Sequence, residues 1–321
     1  MGTNTAVVVN HVSKSYGSFR AVDDVNFEVY RGQIFAMLGP NGAGKSTTIR
    51  MILDIMKPDT GTISVLGGPL TASNKDRIGY LPEERGLYRN VKVIEMLTYL
   101  GTLKGLSNKE AQRRAMALLE ELELGTRAKS KVSELSKGNQ QKVQFAATLL
   151  HEPDLLILDE PTSGLDPVNT LVIKDLIMRM RDRGTAVVMS THQMWQVEEM
   201  ADRLVMINKG QQALYGTVDE VRHKYALHAV IVEGEGDWAR LPGVVRVEPN
   251  RNNRGGDLLY LEDRVTPNDL LAAIASSPHA SIERFELAVP SLNDIFIRVA
   301  GDEVPEEFLK STQEREAVAY E

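Results

Sequence analysis

The chain has 321 residues, 42% hydrophobic and 25% charged, a length and balance that suit a large domain plus a smaller one and exclude a disordered or fibrous protein. Most of its net charge of −7 sits in the last twenty positions, Asp302 to Glu321, where seven acidic residues meet two basic ones; the body is near neutral, and no basic stripe points to nucleic acid. Cysteine is absent, which excludes disulfides and thiolate metal sites; no apolar run is long enough to span a membrane, and no basic-then-apolar secretory leader is visible.

In chain order, "AVVVNHV" (6–12) and "VNFEVYRG" (25–32) read as half-buried strands of an antiparallel layer. "QIFAMLG" (33–39), "DLLILDE" (154–160) and "TAVVMST" (185–191) are short aliphatic runs bounded by Gly, Pro or Asp, and predict buried strands. Their alternation with helical patterns predicts an α/β core with a mainly parallel sheet. From about 90 to 150 the pattern is purely helical, an insertion into that core, with capping-box spacing at Ser107–Glu110.

After about Lys224 the composition changes. "HAVIVEG" (228–234), "VVRVEP" (244–249) and "LLYLED" (258–263) predict strands, with "NNRGG" (252–256) as a hairpin loop. Thr266 followed by Pro267 and Asp269 predicts a helix start, "ASIERFELAV" (280–289) a further strand, and Ser291–Asp294 the start of a last helix. The expected domains are therefore 1–223 (α/β core with the helical insertion), 224–301 (a small α+β domain) and an acidic tail, 302–321.

"GPNGAGKST" (39–47) fits the phosphate-loop pattern, between a buried strand and the helical run "TTIRMILDIM". Glycines let successive N–H groups turn inward around an anion, and a helix N-terminus adds partial positive charge. Gly39, Asn41, Gly42, Ala43, Gly44, Lys45, Ser46 and Thr47 are thus candidate nucleotide contacts. Lys45 would reach the terminal phosphates, and the Ser46 hydroxyl would ligate Mg²⁺. Asp159–Glu160 closes a strand run, where one carboxylate can hold Mg²⁺ and the next can act as general base. His192 follows the third buried strand and could orient the attacking water. A solvated acidic turn and a merely structural histidine are the plainer alternatives, disfavoured by the neighbouring phosphate loop.

"LSKGNQQK" (135–142) is a second anion-seeking helix start, although one nucleotide needs only one phosphate loop. Together with Tyr16, "GPNGAGKST", "LLILDEP", "SGLD" (163–166) and His192, it gives the order and spacing of a known family. Over residues 6 to about 220 the chain resembles the ATP-binding subunits of ABC transporters. The resemblance implies ATP and Mg²⁺ as cofactors and a fold of the phosphate-loop ATPase type, with an antiparallel β layer and a helical insertion. It implies that two subunits pair head to tail, so that the signature residues Ser136, Gly138 and Asn139 meet the other copy's ATP and Asp166 lies at the seam. It also implies that Tyr16 stacks on adenine. A separate membrane permease is the implied partner, and the cytoplasmic face of the cell membrane the implied location.

Two departures from the family pattern stand out. Lys137 and Asn139 occupy signature positions where the family usually has Gly and Gln. Glu83, in "IGYLPEERGLY" (78–88), stands where the family commonly has a Gln that touches Mg²⁺; a carboxylate there is also a candidate metal ligand. The segment "FELAVPSLNDIFIRVAG" (285–301) resembles a C-terminal domain of ABC exporter ATPases, including sodium-efflux types, so the expectation is export of an ion, drug or small molecule. The competing class is an ABC ATPase acting on nucleic acid or ribosomes. Such proteins carry basic linkers, long coiled-coil insertions or two cassettes in one chain, and this sequence has none of these.

Overall fold

Two twelve-residue strands, β1 (Thr5–Tyr16) and β2 (Phe19–Tyr30), pair antiparallel across a tight turn. The computed structural model describes residues 4–84, 86–250, 255–277 and 279–300. In β2, Val25, Phe27 and Val29 are buried while Asn26, Glu28 and Tyr30 are partly exposed, the period-two pattern of a strand with one covered face. β3 (Ile34–Leu38) is buried at every position and leads through a loop into α1 (Lys45–Ile52). Then come β4 (Thr60–Val65), the one-turn α2 (Ala72–Lys75) and β5 (Ile78–Leu81).

The expected helical stretch follows as α3 (Val93–Leu103), α4 (Asn108–Glu121) and α5 (Lys137–Leu149). Half of the predicted capping box forms: the Ser107 hydroxyl accepts from the Glu110 N–H at 3.2 Å. The Glu110 carboxylate turns instead to Arg113 and Arg114, which hold it well below the usual carboxylate range, at about 2. β6 (Leu155–Asp159), α6 (Pro167–Asp182), β7 (Ala186–Thr191), α7 (Met194–Met200), β8 (Arg203–Asn208) and β9 (Gln211–Thr217) complete a first unit that ends at Val218.

These strands form one sheet in the order β4-β1-β2-β9-β8-β3-β7-β6-β5. The run β8-β3-β7-β6-β5 is parallel, as the buried aliphatic runs predict. The predicted antiparallel layer forms as β4, β1 and β2, at the other end of the same sheet. β2 joins β9 through the single parallel pair Asp23–Gln211, and the sheet curls back on itself. The curl brings Val25, Phe27 and Val29 into one core with Phe35, Ile49, Ile157 and Val188; the Phe27 and Phe35 rings stack at 4.9 Å. On the other face Leu81, Leu97, Phe145, Leu158 and Ile177 join α3, α5 and α6 to the parallel strands.

The second unit starts at Asp219. Helix α8 (Val218–Lys224) precedes β10 (Ala229–Glu235), β11 (Val244–Pro249), β12 (Asp257–Leu261), α9 (Pro267–Ala275), β13 (Ser281–Leu287) and α10 (Leu292–Ala300). The strands make an antiparallel sheet in the order β11-β12-β10-β13, over a core of Val230, Val232, Trp238, Leu259, Leu270 and Ile274. Thr266 caps α9 with a complete capping box through Asp269, as its sequence predicts. The predicted loop Asn252–Gly256 falls largely outside the described residues, and the acidic tail wholly so.

Candidate functional site

Four adjacent parallel strands, β3, β7, β6 and β5, end at one edge of the large sheet. At or just beyond their carboxyl ends come Gly39, His192, the pair Asp159–Glu160, and Glu83. A sheet edge of this kind is where α/β folds place ligands. There a cleft of about 300 Å³ is lined by residues of the loop before α1 and of its first turn, by Asp159, Glu160 and Glu83, and by Tyr16.

The loop has its shape because of where its backbone must go. Gly39 has φ +148°, and a Cβ there would lie 2.1 Å from the Ile207 carbonyl oxygen, so no side chain fits. Gly44 is the N-cap of α1 and offers no side-chain cap to the helix's first N–H groups. The Lys45 ammonium is almost fully buried and donates to the carbonyls of Gly39 at 2.6 Å and Pro40 at 3.1 Å. Asn41, Gly42, Ala43, Gly44, Ser46 and Thr47 all line the cleft with Lys45; Gly39 does not, and acts through its carbonyl.

The acids stand opposite. Asp159 is the last residue of β6, 5% exposed, and accepts a short hydrogen bond from the Ser190 hydroxyl of the neighbouring β7. Glu160 is 8% exposed and sits at φ +50°, held by its own N–H donating to the Ser190 carbonyl at 3.2 Å. Its carboxylate lies 2.8 Å from His192 Nδ1. His192 is not a wall of the cleft; it reaches the cleft through Glu160. Half-buried Tyr80, close to Asp159, has its phenol pushed up, first by desolvation and then by that carboxylate.

Some residues the sequence singles out lie elsewhere in the chain's own fold. Ser136, Gly138, Asn139 and Asp166 do not line this cleft. Ser136 caps α5, its hydroxyl accepting from the Asn139 N–H at 3.3 Å. Asp166 caps α6, accepting from the Asn169 N–H at 2.9 Å, and this bond holds its carboxyl below the ordinary range. The two caps are neighbours: a Cβ on Gly138 would lie 3.1 Å from the Asn169 side-chain nitrogen. The exposed Ser136 and Asp166 thus form a second polar patch outside the cleft.

Sequence reading missed other participants. Phe19 lines the cleft with Tyr16, its cross-strand partner over a two-residue turn; that spacing was a usable signal. Gln196 donates to the Thr162 hydroxyl at 2.8 Å and to Gln193 at 2.6 Å, and Gln141 to the Pro161 carbonyl at 3.3 Å. These bonds tie the turn after Glu160 to the helix after His192 and to α5. No sequence signal marks a glutamine as buried.

A phosphate loop between a buried strand and a helix, facing an acidic strand end and a histidine, defines a nucleotide-hydrolysing fold. The family model described as "ABC transporter" matches residues 22–163, and that of the "ATP-binding protein DrrA1-3-like, C-terminal domain" matches residues 216–300. The ABC transporter ATP-binding protein YhaQ of Bacillus subtilis (strain 168) is 38% identical over 92% of this chain and 98% of its own length. The Nod factor export ATP-binding protein I of Mesorhizobium japonicum (strain LMG 29417 / CECT 9101 / MAFF 303099) is 33% identical over 95% of this chain and 89% of its own. A solved ATP-binding subunit of an ABC transporter superposes with a TM-score of 0.64 at 34% identity, covering 68% of this chain and 93% of that one. The chain belongs to the ATP-binding proteins of ABC transporters. It is an ATP-binding ATPase subunit of that class, whose hydrolysis of ATP drives transport.

Proposed function

We propose that the cleft holds ATP with its triphosphate on the loop 39–47 and its adenine toward Tyr16. Lys45 and the first N–H groups of α1 would take the terminal phosphates. Glu160 would accept a proton from the attacking water as its oxygen bonds to the γ-phosphorus and the bond to the bridging oxygen breaks. His192 would hold the Glu160 carboxylate and orient that water.

The oxygen donors on the cleft suit Mg²⁺. Ser46, Asp159 and Glu83 line it and offer one hydroxyl and two carboxylates. Mg²⁺ favours just such a sparse set, completed by water and phosphate oxygens. When bound, it neutralises charge on the β- and γ-phosphates.

Two copies would pair head to tail, each setting Ser136, Gly138 and Asn139 against the other's nucleotide, with Asp166 at the seam. The single observation that carries this reading is the division within one chain: the cleft gathers the phosphate loop and both acids, while the Ser136 patch stands outside it. ATP-driven closure would act on a separate permease at the cytoplasmic face of a membrane. Among the described residues no helix is long and apolar enough to cross a membrane, so a membrane path needs such a partner. Export is the favoured direction, supported by the likeness to a Nod factor export protein along nearly the whole chain. Residues 1–223 would be the ATP-binding domain and 224–301 the accessory domain.

The test is Glu160→Gln. ATP binding should remain within about threefold while hydrolysis falls by about 10²–10⁴-fold, the usual worth of a general base. Turnover at the wild-type rate would remove Glu160 from that role.

A further inference from the structure

Gln144 lies two turns into α5 and is 5% exposed. Its side-chain nitrogen donates to two carbonyls, Pro82 at 3.3 Å and Glu84 at 3.2 Å. These are the carbonyls of the two residues that flank Glu83. Because both acceptors are carbonyls, the amide must present its nitrogen to them. Its oxygen is thereby turned into the interior, where Oε1 is buried with no partner. Native structures rarely leave a buried acceptor unpaired, and doing so is destabilising. An apolar side chain of the same length would fill the site without that penalty. The glutamine is therefore a poor choice for packing and a good one for gripping the loop.

That loop needs a grip. β5 ends at Leu81, and beyond it Glu83 and Glu84 are exposed while Glu83 still lines the cleft. A long exposed carboxylate reaches a defined point only if the backbone beneath it is fixed. We infer that Gln144 is a positioning residue that clamps the backbone on both sides of Glu83 and so sets this carboxylate toward the metal bound with ATP. The inference rests on the reading of Glu83 as a metal ligand. It adds a determinant from a different helix, the one that begins at Ser136. Outer partners that orient a ligand commonly govern metal affinity as strongly as about tenfold or more.

The experiment uses the full chain and a non-hydrolysable ATP analogue. Its dissociation constant is measured by calorimetry in excess EDTA and in excess Mg²⁺, and the ratio of the two is the readout. Gln144→Met keeps length and packing but removes the donor; Gln144→Glu keeps polarity and removes it; Glu83→Ala removes the carboxylate. The expected result is a ratio lowered about tenfold in Glu83→Ala and at least threefold in both Gln144 variants. Affinity in EDTA should be unchanged, and the melting temperature of Gln144→Met equal to or above wild type. A lowered ratio in Glu83→Ala with a wild-type ratio in Gln144→Met overturns the clamp and leaves the reading of Glu83 standing. A wild-type ratio in Glu83→Ala overturns that reading and the clamp with it. Equal losses of affinity with and without Mg²⁺ in the Gln144 variants would mark a merely structural role and also overturn the inference.

Discussion

His192 Nδ1 lies 2.8 Å from Glu160 Oε1, although the two residues leave different strands, β7 and β6. The contact is possible because these strands are neighbours and end in register, Asp159 opposite Ser190. It fixes a carboxylate whose backbone already occupies the left-handed region, a conformation costing a non-glycine residue on the order of 1–2 kcal/mol. Losing the imidazole should free the carboxylate without touching the phosphate loop. His192→Ala is therefore expected to lower kcat by about 10²-fold or more and to change ATP affinity by less than about threefold. Steady-state hydrolysis with parallel nucleotide titration checks this split.

Two loop glycines should behave unlike each other. A methyl on Gly39 overlaps the Ile207 carbonyl at 2.1 Å, and relieving it means moving the backbone of β8. Gly39→Ala should cost about 3 kcal/mol or more and abolish ATP binding. A methyl on Gly42 meets nothing within 4 Å, and only its φ of +77° opposes the change, at about 1–2 kcal/mol. Gly42→Ala should melt within a few degrees of wild type, as thermal unfolding would record.

The base end of the cleft carries two aromatics. Tyr16 and Phe19 are respectively 46% and 62% exposed, and the Tyr16 hydroxyl donates to the Met56 sulfur, at 3.1 Å. If the ring and not the hydroxyl matters, Tyr16→Phe should bind ATP as wild type does. Tyr16→Ala should weaken binding about three- to tenfold, the worth of one stacking contact, and Phe19→Ala should weaken it less. Equilibrium titration with a fluorescent ATP analogue measures all three.

How much of this was legible in the chain follows from what each residue type signals. The buried strands β3, β6 and β7 announced themselves because each is a short, mostly apolar run buried at every position. β5 did not: "IGYL" is only four residues long with a glycine inside, and its identity depends on pairing with β6. The β8–β9 hairpin was missed although its turn was written in the sequence, with Lys209 and Gly210 both at positive φ as a tight hairpin turn needs. At the site, glycine, lysine and carboxylate spacing carried the phosphate loop and the acids. The glutamines that brace it were invisible because their partners lie far away in sequence: backbone carbonyls for Gln141 and Gln144, and the Thr162 hydroxyl for Gln196.

One histidine gives a pH dependence. His151 is mostly buried, with Lys104 nearby, and these hold its pKa down to about 4; its Nε2 lies 3.1 Å from the Ile78 carbonyl. The unfolded chain takes up this proton near pH 6.5. Between those values the unfolded state binds more protons, so stability is full above pH 6.5 and falls as pH drops toward 4. The loss from pH 8 to pH 5 should be about 1–2 kcal/mol, allowing for the ring's partial exposure. Urea unfolding of His151→Gln at the two pH values should show a difference smaller by that amount.

The most direct test mixes two crippled chains, Lys45→Ala and Ser136→Arg. Each alone should hydrolyse ATP at background, since one lacks the phosphate lysine and the other blocks the facing patch. In a mixed pair, one cleft collects both lesions and the other collects none. An equimolar mixture should therefore recover activity, up to roughly a quarter of wild type for random two-fold pairing. A mixture no more active than its separate parts would contradict a site shared between two copies.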